Sequence, residues 1–307
     1  MNSKQNRKTA VVASQYNSEW IKQTWGWDTA EEFVCSQGRN LRPRVQYCLD
    51  LADLKPGMRI LDVGCGRGEV VLYSARRGIH AVGIDYSEEA ISIAKRARGR
   101  HTTAEQRRMK FISDDVKNIR GESFDRIFML DLVEHLYDWE LYQLLQSSKK
   151  LLAPTGEIII HTLPNSWIYE ITYRKLLRRV LPRLPDDPRS EKEKAIHVNE
   201  MSITRLDKLL KESGFNCRIW LDELIVSQAK WHARGELEDK RRTLYYWMRN
   251  PFVAVLYRCF ALTPLRPLIV NDIFAVAVQQ GQPIRFRPPM RSNWTESLLC
   301  RLSRNRN

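Results

Sequence analysis

The ten residues Ile60 to Glu69, ILDVGCGRGE, restrict this chain more than any other stretch. An apolar run passes directly into three glycines at alternate positions, Gly64, Gly66 and Gly68. Such a run reads as a buried strand, and the residues after the last glycine read as a helix. A strand buried on both faces and followed by a helix belongs to a parallel sheet covered by helices. In such a sheet the loop after the first strand lies at the carboxyl ends of the strands, where ligands bind. Its backbone N–H groups and the helix N-terminus then face a polar or negative group.

The rest of the chain repeats the pattern. MRILDVG (58–64), HAVGID (80–85), MKFISDDV (109–116), FDRIFMLDLV (124–133) and GEIIIHTLP (156–164) read as five strands. Between them GEVVLYSARRG, SEEAISIAKRARGR and WELYQLLQSSKKLLAP read as helices, the second with Ser87 as its N-cap and acids in its first turn. A helix SITRLDKLLKESGF and strands NCRIWLDELIV (216–226) and DIFAVAVQ (272–279) follow. The expected architecture is a Rossmann-like α/β fold with a mostly parallel seven-stranded sheet and helices on both faces. Residues 1–40, polar with interspersed aromatics, are expected to cap it, residues 41–280 to form the main domain, and 281–307 a basic tail. An insertion is expected at about 165–200, after the fifth strand.

Asp85 ends the second strand, 21 residues after Gly64. A carboxylate there can accept both hydroxyls of a ribose. The glycine spacing is G-x-G-x-G, whereas a pyrophosphate loop needs G-x-G-x-x-G. Asp62 and Glu69 flank the loop. Two carboxylates repel a pyrophosphate and suit a cofactor that carries an amino group and a positive sulfur.

On these residues the chain resembles the class I S-adenosylmethionine-dependent methyltransferases. LDVGCGRGE is similar to their glycine-rich first motif, GIDYS (83–87) to the ribose motif, FISDDVKNI (111–119) to the adenine motif and FDRIFMLDLVEHL (124–136) to the fourth. LLAPTGEIII (151–160) resembles the strand before the acceptor site. The resemblance implies S-adenosyl-L-methionine as cofactor, held by Asp62, Gly64, Cys65, Gly66, Gly68, Asp85, Tyr86, Asp115, Val116 and Leu130. Asp114, beside Asp115, is the alternative adenine acid. Cys65 has no activating base beside it in the sequence and reads as a small loop residue. The cluster Asp131, Glu134 and His135 is similar to one in the ubiquinone-biosynthesis O-methyltransferases. A divalent cation there is chemically reasonable, but capping and packing over the cofactor is the preferred reading, and no metal is assigned.

Methyl transfer from a sulfonium needs alignment and exclusion of water. A hydroxyl acceptor also needs a general base. His135, where the fourth strand turns into a helix, His161, at the end of the fifth strand, and His197, in AIHVNEMS after the insertion, are the candidates; His80, His101 and His232 read as surface or strand-edge residues.

Fifty basic against 36 acidic residues give a net charge of +14, which favours an anionic partner. In YEITYRKLLRRVLPRL (169–184), helical spacing places Tyr169, Tyr173, Leu176, Leu177, Val180, Leu181 and Leu184 on one face and five basic residues elsewhere. This is the pattern of a helix lying in a membrane interface, or of one packed on the domain with a solvated basic face. The family resemblance, together with this amphipathic segment, implies a small or lipid-linked acceptor, a glycan precursor or quinone-like ring methylated on oxygen. The expected location is cytoplasmic, with peripheral contact to an acidic membrane. No apolar run is long enough to span a bilayer, and the N-terminus does not read as a signal peptide. A tRNA or rRNA acceptor ranks second, because no Asn/Asp-Pro-Pro-aromatic signature follows the fourth strand. A non-catalytic cofactor-binding scaffold is the alternative from another class.

Overall fold

A computed structural model describes residues 29–189, 191–222, 224 and 250–284. Most of the expected N-terminal cap, His232, the residues 225–249 and nearly all of the basic tail lie outside the described residues.

Seven strands form one sheet: β1 (Arg59–Val63), β2 (His80–Asp85), β3 (Met109–Ser113), β4 (Phe124–Leu130), β5 (Leu152–Thr162), β6 (Phe215–Asp222) and β7 (Asp272–Gln279). Their order is β3-β2-β1-β4-β5-β7-β6. The first five are parallel, and β7 runs antiparallel to both β5 and β6. The strand order reverses between β1 and β4, so the crevice for a ligand opens at their carboxyl ends.

Alternation along the strands sends side chains to two apolar cores. Leu61, Val63, Ile127, Met129, Ile158 and Ile160 enter one. Ile60, Phe128, Ile159, Phe274 and Trp220 enter the other. The first core is closed by α5 (Asp138–Leu151) and α6 (Ile203–Glu212), the second by α1 (Ala30–Cys35), α2 (Pro43–Leu51), α3 (Glu69–Ala75) and α4 (Glu88–Arg98). Helices therefore cover both faces as the sequence predicts. Ser87 caps α4 by accepting from the Ala90 N–H at 3.2 Å, and Glu88 and Glu89 stand in its first turn.

Two elements differ from expectation. The helix expected to run through Pro154 ends at Leu151, and β5 begins at Leu152. The pairing of β4 with β5 shifts register between Phe124 and Arg126, which accommodates the added residues. The segment 169–184, expected as an α-helix that Pro182 ends or kinks, is instead a π-helix, Ile168–Leu177, with a short α-helical end, Arg178–Val180, and it stops before Pro182 as expected.

Candidate active site at the carboxyl ends of β1, β2 and β4

The glycine loop is tied to the second strand. Gly64 and Cys65 both donate to the carbonyl of Ile84, at 2.8 and 3.1 Å. The Gly66 N–H donates to Asp85 Oδ2 at 2.8 Å, and the Ser87 N–H to Asp85 Oδ1 at 2.8 Å. One carboxylate thus fixes the loop and the start of α4, taking backbone N–H groups from Gly66, Tyr86 and Ser87. Gly68 stands at the N-cap of α3 with φ 91°, and a Cβ there would lie 2.6 Å from the ring of Phe111. Only glycine meets both conditions.

The two flanking acids have different surroundings. Glu69 lies 3.0 Å from the buried Arg67 and 3.7 Å from Arg42. Burial would raise its carboxyl, but the two arginines outweigh that and hold it below the usual value. The expectation that Glu69 lends its charge to a cofactor is therefore corrected: two arginines balance it. Asp62 is buried at the end of β1, and burial, with the Glu69 and Asp85 charges, pushes its carboxyl well above the usual range.

On the neighbouring edge the Tyr86 hydroxyl is hydrogen-bonded to Asp115. Burial and that carboxylate push the phenol up to about 12. Asp115 also accepts from the Lys117 N–H at 2.9 Å and pairs with its ammonium at 2.9 Å. Asp114 points elsewhere, accepting from the Asn118 amide. Asp115 is thus the acid that meets Tyr86. Val116 is buried in the first core and Leu130 packs against the second. Cys65 is buried beside Gly83, and burial pushes its thiol up, which suits a packing role.

At the end of β4, Asp131 adopts φ 53°, a left-handed conformation uncommon outside glycine. Its Oδ2 accepts from Arg44 at 2.7 Å and lies 3.6 Å from Arg42. Its Oδ1 lies 2.5 Å from His161 Nδ1, and His161 Nε2 lies 3.0 Å from Asp272 Oδ1. Burial favours a neutral imidazole, but the Asp131 and Asp272 carboxylates outweigh it and raise His161 to about 9. A ring protonated at neutral pH, with both nitrogens on carboxylates, has no lone pair with which to take a proton. The expectation of His161 as a base is corrected on that ground. Asn165, another polar residue at the strand end, is spent on structure: its amide donates to the carbonyls of Pro267 and Val270, at 2.8 and 3.0 Å.

His135 and His197 come together although 62 positions separate them. Their rings meet edge to face at 5.0 Å. The end of the insertion clamps the turn after β4: Asn199 donates from its backbone to the carbonyl of Glu134 at 3.0 Å and from its amide to that of Leu136 at 2.7 Å. His135 Nδ1 lies 3.0 Å from the carbonyl of Ile196. A carbonyl only accepts, so Nδ1 carries the proton and Nε2 the lone pair. Burial lowers the His135 value, keeping the ring neutral. Glu134, deeply buried, accepts from the Thr162 hydroxyl at 2.7 Å. Burial and the Asp131 charge raise it to about 8. Single ligand atoms of Glu134, His135 and His197 fall within 4.8 Å of one another, a spacing that can hold a metal ion. The acid–histidine cluster noted in the sequence is thus completed by His197 instead of Asp131.

Comparison with known proteins gives the family. The family model described as a methyltransferase domain matches residues 33–218. The chain belongs to the methyltransferase-domain family. With it come the class I α/β fold and S-adenosylmethionine as the family's cofactor, both as the sequence led one to expect. The ubiquinone biosynthesis O-methyltransferase of Hahella chejuensis is 28% identical over 160 residues, which cover 51% of this chain and 65% of that one. The phosphoethanolamine N-methyltransferase of Triticum aestivum is 34% identical over 139 residues, 45% of this chain and 24% of that one. The chain thus spans just under two thirds of the Hahella protein's length. Among solved structures, a cyclopropane synthase from Mycobacterium tuberculosis shares the fold, with TM-score 0.53, 18% identity, and coverage of 76% of this chain and 83% of that one.

This methyltransferase-domain chain also has site residues that the sequence reading missed. Arg42, just before α2, and Arg44, in its first turn, reach Asp131 from outside the sheet, and Arg67 stacks 4.1 Å from the ring of Phe33. The only signal was RPR at 42–44, which charge alone could not separate from a solvated surface. Asp272 carried no signal, because its partner His161 is 111 positions away and is met only through the antiparallel register of β7.

Proposed function

We propose that this chain transfers a methyl group from S-adenosylmethionine to a hydroxyl of a small or lipid-linked acceptor, a glycan precursor or quinone-like ring. The observation that carries this reading is His135. A backbone carbonyl fixes its tautomer, burial keeps it neutral, and it stands one turn beyond β4, beside the switch point of the sheet. A neutral imidazole with its lone pair on Nε2 can take the proton of an attacking hydroxyl. Sulfonium transfer to nitrogen or to a phenolate makes less use of such a base. Relatives named for O-methylation in ubiquinone biosynthesis support the same direction.

Each part of the site has a role. Asp85 and the glycine loop hold the ribose side of the cofactor, and Tyr86 with Asp115 holds the adenine side. Asp62, at the end of β1, balances the positive charge of the amino acid portion. His197 supports the His135 ring, and the clamp from Ile196 to Asn199 closes the insertion over the turn. In the proton-handling reading of the cluster, Glu134, raised to about 8, is largely the neutral acid near neutral pH and can donate as well as accept.

Incubation of the protein with tritium-labelled S-adenosylmethionine and fractionated cell extract tests the proposal. Label in the lipid or small-molecule fraction, in a linkage stable to mild base as an ether is, supports it. Label in tRNA or rRNA would assign the chain to nucleic-acid methylation. Tight cofactor binding with no transfer to any fraction would leave it a scaffold.

A further inference from the structure

Two helices at the carboxyl end of β5 turn their apolar sides outward. In the segment 168–184, Leu176, Leu177, Val180 and Leu181 are all exposed, Val180 at 78%. In the helix Pro251–Ala261, α7, the exposed apolar residues are Phe252 (76%), Val255, Leu256 and Phe260. Their spacing, i, i+3, i+4 and i+8, is one face of an α-helix. The face packed on the domain is made instead by Ala254, Tyr257 and Ala261. An ordinary surface helix shows the reverse arrangement, and outward-facing apolar stripes of this kind mark a site of interaction.

Both helices stand on the same piece of chain. The Thr172 hydroxyl donates to the carbonyl of Leu268, and the Tyr257 hydroxyl to that of the next residue, Ile269. That piece leads through Val270 and Asn271 into β7, whose first residue, Asp272, holds His161 at the end of β5. The apolar surface therefore lies at the end of the sheet where His135 and the glycine loop also lie. Its charge is one-sided. Residues 168–184 hold five cations and one acid, and residues 250–265 hold Arg258 and no acid. Arg174, Lys175, Arg179 and Arg183 are exposed around the leucines.

We infer that the segment 168–184, which carries the π-helix, and α7 together form a docking surface for an anionic lipid bilayer. The apolar side chains enter the acyl boundary and the surrounding cations meet acidic headgroups. A second copy of the chain would place these cations against their own kind, which makes it the poorer occupant. Among the described residues no helix is long and apolar enough to cross a membrane, so the contact lies on the surface of the bilayer. The inference extends the reading of a lipid-linked acceptor. Vesicle binding is read without any methyl transfer, so either can fail while the other stands.

The test is co-sedimentation of the full chain with vesicles of phosphatidylcholine alone and with added phosphatidylglycerol. Two variants accompany the wild type. One carries Leu177→Gln, Val180→Gln, Phe252→Gln and Leu256→Gln; the other carries Arg174→Gln, Lys175→Gln, Arg179→Gln and Arg183→Gln. All eight positions are exposed, and thermal melts confirm that each variant folds. The expected result is wild-type binding to the anionic vesicles, weakened about tenfold or more in each variant. Binding by the apolar variant equal to wild type would overturn the inference, as would no binding by the wild type to either vesicle. A wild-type dimer in sedimentation equilibrium that the apolar variant loses, without vesicle binding, would give the surface to a second copy instead.

Discussion

His161 Nδ1 lies 2.5 Å from Asp131 Oδ1, and the opposite nitrogen of the same ring lies 3.0 Å from Asp272. One buried cation therefore ties the end of β4, through β5, to the start of β7. Asp131 in turn reaches Arg44 at 2.7 Å, which fastens α2 to the same point. The network holds the turn that carries Glu134 and His135.

The first prediction concerns stability against pH. The folded value of His161 is about 9, above the ordinary 6.5. A value raised on folding gives stabilisation that is complete below about pH 6.5 and is lost as pH rises through about 9. Wild-type melting temperature should therefore fall across that interval. His161→Gln should cost about 3 kcal/mol near neutral pH, because two buried carboxylates lose their cation, and should show a flatter alkaline limb. An alkaline limb unchanged in the variant would refute the assignment.

A second prediction concerns the ribose acid. Asp85→Ala removes the acceptor for the Gly66 and Ser87 N–H groups and the group proposed to hold the ribose. Calorimetric affinity for S-adenosylmethionine should fall by about 2–3 kcal/mol, with a smaller loss of thermal stability. Affinity equal to wild type would remove Asp85 from the cofactor site.

Asp62 supplies a third. Its carboxyl stands well above the ordinary value because of burial and the Glu69 and Asp85 charges. A cofactor that brings positive charge to it should lower that value and release a proton on binding. Calorimetry in buffers of different ionisation enthalpy reads the release directly. It should be positive near neutral pH and reduced in Asp62→Asn. Proton uptake would contradict the role given to Asp62.

Gly68 allows a fourth. Gly68→Ala places a methyl group 2.6 Å from Phe111 at a φ of 91°. The expected cost is about 1–3 kcal/mol of stability, read in denaturant melts, together with weaker cofactor binding. Gly57→Ala, also at positive φ but with nothing near its Cβ, separates backbone strain from the clash and should cost less.

What could be read from the sequence followed from local physics. β1 to β4 were legible because each is a short apolar run closed by a turn or a polar cluster, and Ser87 was legible as a cap because its bond reaches only three residues. The glycine loop was legible because its spacing is a backbone requirement. The π-helix was not, since spacing at 100° per residue assumes the α-helical turn, and the exposure of Leu177 and Val180 depends on how the segment sits on residues 266–270. Nor was the fate of His161, which depends on Asp272 arriving by antiparallel register. The meeting of His135 with His197 needed the return of the insertion, a long-range closure that no periodicity records.

The central claim is methyl transfer to a hydroxyl with His135 as the base. Its most direct test is the single-turnover rate of labelled methyl transfer by wild type and His135→Asn, followed from about pH 5 to 9 at saturating S-adenosylmethionine. The wild-type rate should rise as His135 loses its proton, below the ordinary histidine value, and then level off. The variant should bind the cofactor as tightly and transfer its methyl group roughly 10²–10⁴-fold more slowly, without that rise. A His135→Asn rate equal to wild type across the range would contradict the account.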